Sequence, residues 1–544
     1  MLEIVTSWLH TMAVLISLYN YKGKMMKISN KKMKFILCSI MVFINISCQQ
    51  SPKIFLEKYN KIDLLITNGK LLDGLGNPAV LSDLVVVGDK IVFVGQSKFT
   101  KQELETRVKT HIDAKQSYIS PGFIDLHSHG DPLTTPHFEN FLAMGVTTIT
   151  LGQDGDSPKI EKLSDWLKAV EDKGIAINLA MFVGHGTLRE LSGIGQAVTP
   201  TKEALNNLLQ RLDDTLKYTF GLSTGLEYNP GLYAQEQELI AIAKVVGKNN
   251  RLIMSHMRNE DSDQLESSIK ELLVQGKYSK IHISHIKSVY GQGEKEAEDI
   301  LQVLQDGRDA GIDITADIYP YNASYAGISL LFPVWAKTNQ QFEQALKTRR
   351  EELEVFLRNK IIKRNGPEAT LLGTPPYTGK TLSDLSNDFN LPFEQVLIKL
   401  GPKGASGAYF IMDDELQSRL LIDPAISISS DGSPTGFHPR GHGTFAKIIE
   451  TYVNQRKVLS LPEAIRKMTS QSAKILGISN RGVLEVGKNA DIIIFDPDKI
   501  KATASYSNPL LLAEGFTTVI VNGKVARSEG KMADSSHGRV LKPD

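Results

Sequence analysis

Histidines and aspartates stand at the ends of short apolar runs in this chain, in a spacing that suits a divalent metal ion. His127 and His129 close the run Phe123-Ile-Asp-Leu126, one residue apart. In an extended strand, side chains at i and i+2 point to the same face. Two imidazoles can therefore stand side by side as ligands. The pattern recurs downstream. Thr147-Thr-Ile-Thr-Leu151 leads into Gly-Gln-Asp154-Gly, Leu252-Ile-Met-Ser255 into His256, Lys280-Ile-His-Ile-Ser284 into His285, and Ile426-Ser-Ile-Ser-Ser430 into Asp431. A lone His-x-His pair is weak, because loop histidines are common. Several separate strand ends, each offering a neutral imidazole or a carboxylate, make a far stronger combination. That donor set suits zinc.

These residues can meet only if the runs carrying them are neighbours in one sheet. Strand-like apolar runs occur at 123–126, 146–151, 175–183, 219–226, 252–256, 281–285, 312–318 and 425–429. Helical stretches lie between most of them, among them 159–173, 202–218, 261–276 and 294–310. The alternation predicts an α/β fold with a parallel sheet and helices outside it. Runs in this number predict a closed (β/α)8 TIM barrel over 120–480, with the site at the C-terminal ends of its strands. Between the seventh and eighth runs lies an added segment at about 330–420. It has helical stretches at 340–363 and 392–400, with turn-rich sequence at 373–379 between them. This length predicts an insertion over the barrel mouth rather than an ordinary connection. Short β-rich runs also flank the whole, at 64–67, 83–87 and 90–94, then at 491–495 and 517–524. They predict one small β-sandwich domain assembled from 60–119 and 481–535. Thr67-Asn-Gly-Lys70 and Val521-Asn-Gly-Lys524 are near copies, each an Asn-Gly hairpin signal.

Composition narrows the class. The 544 residues carry a net charge of +1, with 62 basic against 61 acidic side chains. Without a basic run in the body, nucleic acid is excluded as a partner. The two cysteines, Cys38 and Cys48, both precede residue 50, so the body has neither a disulfide nor a thiolate metal ligand. Residues 1–48 read as a targeting segment. Lysines between Lys22 and Lys34 precede the apolar stretch Phe35–Ser47, which is shorter than the about 20 residues a spanning helix needs. The stretch ends Asn45-Ile-Ser-Cys48 and resembles a bacterial lipoprotein signal, although that signal usually has leucine where Asn45 stands. It implies a protein of the bacterial cell envelope, lipid-anchored at Cys48, facing the periplasm and touching membrane only through that anchor.

A further resemblance covers about Ile62 to Val525. It is carried by Pro121-Gly-Phe-Ile-Asp-Leu-His-Ser-His129, Gly184-His-Gly-Thr-Leu-Arg189, Gly221-Leu-Ser-Thr-Gly-Leu-Glu-Tyr228, Ser255-His-Met-Arg258, Ser284-His-Ile-Lys287, Asp317-Ile-Tyr-Pro-Tyr321, Ser430-Asp-Gly432 and His438-Pro-Arg440, with the tail Gly487-Lys-Asn-Ala-Asp491. These phrases resemble the amidohydrolase superfamily and, within it, the D-aminoacylases, or N-acyl-D-amino-acid deacylases. The resemblance implies zinc held tightly at His256 and His285, with His127 and His129 flanking a second, weaker position. It implies Asp431 as the proton-transferring carboxylate, and Lys287, Tyr319 and Arg440 as the groups that hold the substrate's carboxylate. The implied reaction is hydrolysis of an N-acyl-D-amino acid to a carboxylate and a free D-amino acid.

Two departures stand out. Asp154 occupies the place of a cysteine ligand in the best-known members, a harder donor that can alter metal affinity and stoichiometry. The bridging lysine of many superfamily members has no counterpart, which leaves Glu227 as either a ligand or a structural hydrogen-bonding group. His185 suits pocket lining or a loop backbone contact, and Arg258 a substrate contact or a structural ion pair. A D-residue dipeptidase or cyclic-amide hydrolase would share the chemistry, but the Lys287, Tyr319 and Arg440 trio favours a substrate with a free carboxylate. A non-enzymatic ligand-binding lipoprotein is disfavoured by the retained ligand set and Asp431.

Overall fold

The computed structural model describes residues 59–543. The expected targeting segment, with Cys38 and Cys48, lies outside them. Strands that are apolar on both faces must be covered on both faces, which is the condition of a parallel sheet wrapped in helices. The barrel strands meet it. They are β6 (Phe123–Asp125), β7 (Val146–Leu151), β8 (Asn178–Gly184), β9 (Gly221–Gly225), β10 (Leu252–His256), β11 (Lys280–Ile283), β12 (Ile314–Ile318) and β16 (Ile426–Ile428). Every residue of β7, β8, β9 and β10 is buried. The strands pair in the order β16-β12-β11-β10-β9-β8-β7-β6, all in parallel. Closure comes just beyond the strand ends. The Asp431 N–H donates to the His127 carbonyl at 2.8 Å, and the His129 N–H to the Gly432 carbonyl at 2.7 Å. Amphipathic helices such as Lys202–Thr215, which buries Leu208 and Leu212, cover the outside.

Between β12 and β16 the chain builds a small unit of its own. Strands β13 (Ser324–Gly327), β14 (Thr370–Leu372) and β15 (Ser406–Tyr409) form an antiparallel sheet in the order β13-β15-β14. Helices Asn339–Thr348, Arg350–Lys363, Leu382–Phe389 and Phe393–Leu400 pack around a separate apolar cluster that includes Leu353, Leu357 and Val396. The single helix expected over 340–363 is two helices. Arg349, with φ −144° and ψ 30°, breaks the ladder between them.

Both termini contribute to a third region, a nine-stranded sheet. Its N-terminal strands are β1 (Ile62–Leu71), β2 (Val80–Val87), β3 (Lys90–Gly95), β4 (Val108–Asp113) and β5 (Tyr118–Pro121). Its C-terminal strands are β17 (Ile492–Phe495), β18 (Phe516–Val521), β19 (Lys524–Ser528) and β20 (Lys531–Met532). The halves join where β17 pairs antiparallel with β5, Ile492 opposite Pro121. The twin Asn-Gly signals have different outcomes. Asn522-Gly523 is the two-residue turn between β18 and β19, both residues at positive φ. Asn68-Gly69 is instead a bulge inside β1, with the register to β2 shifting between Ile66 and Gly69. Gly69 presses on β5 so closely that a Cβ would fall 2.1 Å from Ile119 Cδ1. Tertiary packing, not the tetrapeptide, selects the bulge.

An aromatic cluster seats the barrel on this sheet. Phe123 of β6 stacks on Phe445 at 5.6 Å and meets the edge of Phe516 from β18 at 5.8 Å. Phe516 in turn lies 5.7 Å from Phe495 of β17. Phe516→Ala should therefore cost about 3–5 kcal/mol, as for other buried aromatics. Denaturant unfolding would read this as a lower midpoint. A loss below roughly 1 kcal/mol would show that the cluster does not hold the two parts together.

Candidate metal centre and pocket

The barrel brings the strand-end residues to one point. Asp154 follows β7 and lies at the centre. Its Oδ1 is 3.4 Å from His127 Nε2, 3.4 Å from His285 Nε2 and 3.8 Å from His256 Nδ1. Its Oδ2 is 3.5 Å from His129 Nε2. Asp431, following β16, closes the other side, with Oδ1 3.1 Å from His129 Nε2 and 3.8 Å from His127 Nε2. Two overlapping donor sets result, His127–His129–Asp154–Asp431 and Asp154–His256–His285, each with its ligand atoms within 4.8 Å of one another. A third set joins Glu227, His256 and Glu260.

The donors fit a metal ion in chemistry as well as spacing. Neither ring nitrogen of the fully buried His127 has a hydrogen-bond partner, an arrangement that a protein rarely leaves without a ligand to receive the lone pair. Burial pushes the His127 imidazole down, toward the neutral form that ligates. Burial alone would raise the Asp154 carboxyl, but His127 and His285 beside it hold it well below the usual carboxylate range. Asp431 behaves likewise. Burial opposes its charge, yet Arg440 and the histidines keep it ionised. Asp154, His285 and Asp431 all have left-handed backbone, at φ 55°, 38° and 49°. Such conformations cost roughly 1–3 kcal/mol each and collect where chemistry demands an orientation.

Around the ligands lies a cavity of about 460 Å³. Glu227 lines it and sets its Oε2 3.0 Å from His256 Nε2, on the ring edge opposite Asp154. Tyr319 lines it too, with a buried hydroxyl that has no partner. Arg440 holds the Asp431 carboxylate at 2.7 Å and keeps its guanidinium 4.9 Å from the Tyr319 ring centre, so donors remain for a ligand.

Lys287 lines the cavity as well, with a partner of its own. Its Nζ lies 2.7 Å from Glu260 Oε1, 2.9 Å from His285 Nδ1 and 3.2 Å from the His285 carbonyl. An ammonium has three donors; Glu260 and the His285 carbonyl accept from it, while His285 Nδ1, protonated when Nε2 ligates, does not. It is thus paired with Glu260 while still lining the cavity. His185 and Arg258 lie off the cavity lining. His185 contacts Glu238 at 2.7 Å, and Glu238 also takes Arg189, a buried triad between helices. Arg258 forks onto Glu271 and donates to the carbonyls of Leu232 and Ala234, pinning the loop after β9.

Glu260 is the residue that sequence reasoning missed. It lies four positions beyond His256 and carries only a generic loop signal. Its Oε1 neutralises Lys287 and sits 3.4 Å from His285 Nδ1. Burial would raise its carboxyl, but Lys287 and the two histidines bring it down to about 2. A histidine that ligates through Nε2 carries its proton on Nδ1 and needs an acceptor there. Glu260→Gln should weaken zinc affinity about 10- to 100-fold, the usual cost of such a partner. Competition with a chromophoric chelator measures this, and unchanged affinity would remove Glu260 from that role.

A parallel barrel with histidines ending its first, fifth and sixth strands and an aspartate ending its eighth defines a metal-dependent hydrolase of the amidohydrolase type. Comparison with known proteins agrees. A family model described as "Amidohydrolase family" matches residues 418–527. The chain is 29% identical over 513 residues to N-acyl-D-glutamate deacylase of Alcaligenes xylosoxydans xylosoxydans, covering 89% of this chain and 97% of that one. It is 27% identical to the D-aminoacylase of the same organism, covering 88% and 97%. The crystal structure of N-acyl-D-glutamate deacylase from Bordetella bronchiseptica, with zinc and a phosphonate mimic of the tetrahedral intermediate, superposes with a TM-score of 0.76 at 27% identity, covering 89% and 100%. Over nearly its whole described length the chain is thus similar to deacylases of the amidohydrolase type, D-aminoacylases among them.

Proposed function

We propose that this protein hydrolyses the amide bond of N-acyl-D-amino acids, with zinc as its metal. The observation that carries the reading is the position of Asp431. Its carboxylate touches the histidine cluster through Oδ1 and Arg440 through Oδ2, inside the cavity that Tyr319 also lines. His256 and His285 with Asp154 would hold one ion, and His127 and His129 would share Asp154 and Asp431 around a second. A bound zinc supplies an acidified water at neutral pH and a positive charge for the acyl oxygen. The protein's own residues supply the rest. Asp431, kept ionised by Arg440 and the histidines, accepts the proton of the attacking water and returns it to the leaving nitrogen. Arg440 and the Tyr319 hydroxyl orient the α-carboxylate. Burial holds the Tyr319 hydroxyl protonated, so it acts as a donor.

Chelation should abolish hydrolysis of N-acetyl-D-amino acids, and zinc should restore it. A metal-replete Asp431→Asn variant should lose about 10²- to 10⁴-fold in kcat, the range of general acid–base catalysis. Full activity in that variant would refute the assigned role.

We further propose that the protein is a lipoprotein of the bacterial envelope, anchored at Cys48 and facing the periplasm. The basic and apolar segments ahead of Cys48 support this. Labelled fatty acid should enter the wild type but not Cys48→Ser, and equal labelling of both would overturn the anchor.

A further inference from the structure

We propose that Arg364, supplied by the insertion, binds a second carboxylate on the substrate, besides the α-carboxylate, and selects for N-acyl-D-amino acids that carry one. The inference rests on the deacylase reading above and narrows its substrate class. Three permanent cations line the cavity: Lys287, Arg440 and Arg364. Two have counter-charges in place, Glu260 for Lys287 and Asp431 for Arg440.

Arg364 is different. It is only 5% exposed, its Nε has no hydrogen-bond partner, and among the described residues no carboxylate pairs with it. Its guanidinium carbon lies 4.8 Å from the centre of the Tyr409 ring, with Tyr290 close by. Aromatic faces position a guanidinium without cancelling its charge. The carboxylates nearby are engaged elsewhere. Asp261 pairs with Lys363 at 2.8 Å, and Glu227 faces His256 at 3.0 Å. Lys360, in the helix that Arg364 caps, lies close enough to repel it and offers no counter-charge.

A buried cation without a counter-ion is costly. It is well placed in a pocket whose ligand brings the negative charge. A planar guanidinium with free donors matches a carboxylate in fork geometry. Val289, Leu330 and Ile411 in the same lining provide apolar contact for the methylenes leading to such a group. Two sources satisfy this chemistry: an acidic D-side chain, or the distal carboxylate of a dicarboxylic acyl group.

The test compares N-acetyl-D-leucine, N-acetyl-D-glutamate and N-succinyl-D-leucine as substrates of the zinc-loaded full chain and its Arg364→Gln and Arg364→Lys variants. The wild type should favour at least one dianionic substrate. On it, Arg364→Gln should lose about 10- to 100-fold in kcat/KM, chiefly through KM, while N-acetyl-D-leucine changes by less than about 3-fold. Arg364→Lys should recover part of the loss, and the substrate affected identifies the source of the carboxylate. An equal loss on all three substrates, or no loss on either dianion, overturns the inference. Turnover of N-acetyl-D-leucine by the wild type would leave the deacylase reading standing in those cases. No turnover of any of the three would overturn both.

Discussion

The structure depends on one short stretch of backbone pairing, where the first barrel strand meets the eighth. His127 and His129 project from one side of that seam and Asp431 from the other. The two hydrogen bonds that close the barrel are made by the main chain of these same residues and of Gly432. Closure and assembly of the site are thus a single event. Asp125 reinforces the seam from below. Its carboxylate accepts from the backbone N–H of His127 and from both the N–H and hydroxyl of Ser430. A barrel that failed to close would separate the histidine pair from the base, and no ligand geometry would survive.

The same logic governs the opposite side of the site. Asp317, fully buried in β12, accepts from the His285 backbone N–H at 2.6 Å and from the Ser429 hydroxyl at 2.7 Å, and contacts His282 at 2.8 Å. One carboxylate thereby ties together the sixth, seventh and eighth strands and fixes the left-handed backbone of His285. Burial would raise its carboxyl, but His282 outweighs that and keeps it below its usual range. The orientation of His285 is then set twice, through its backbone by Asp317 and through its ring by Glu260. Buried charges of this kind stabilise only as complete networks, and here each member has a partner from a different strand.

Much of this was legible before the structure. Continuous apolar runs marked the barrel strands because parallel strands are buried on both faces, and polar residues at their ends marked the site. What sequence withheld has physical causes. The pairing of Lys287 with Glu260 could not be read from sequence, because Glu260 lies on another loop and is joined to it only by folding. His185 and Arg258 look like site residues because they neighbour glycines or a ligand, yet their side chains reach Glu238 and Glu271 on outer helices. The three strands of the insertion are three or four residues long, too short for alternation to show. Arg364 gave no local signal at all. Its meaning comes from a cavity that the insertion and the barrel build together.

Asp154 shows how a substitution can change the character of such a site without changing its place. The turn that carries it is constrained by Gly155, where a Cβ would lie 2.7 Å from the Gly225 nitrogen at the end of β9. That close approach presents the side chain of Asp154 inward from a left-handed backbone. A thiolate there would offer one soft atom to both halves of the site. The carboxylate offers two hard ones and divides them, Oδ1 toward His127, His256 and His285, and Oδ2 toward His129. The set with His256 and His285 therefore receives a harder ligand than a thiolate, and His129 an oxygen of its own. Hard oxygen donors narrow the preference for soft metals such as zinc over magnesium or manganese. The difference in affinity between the two positions should accordingly be smaller in this chain than a shared sulfur would make it.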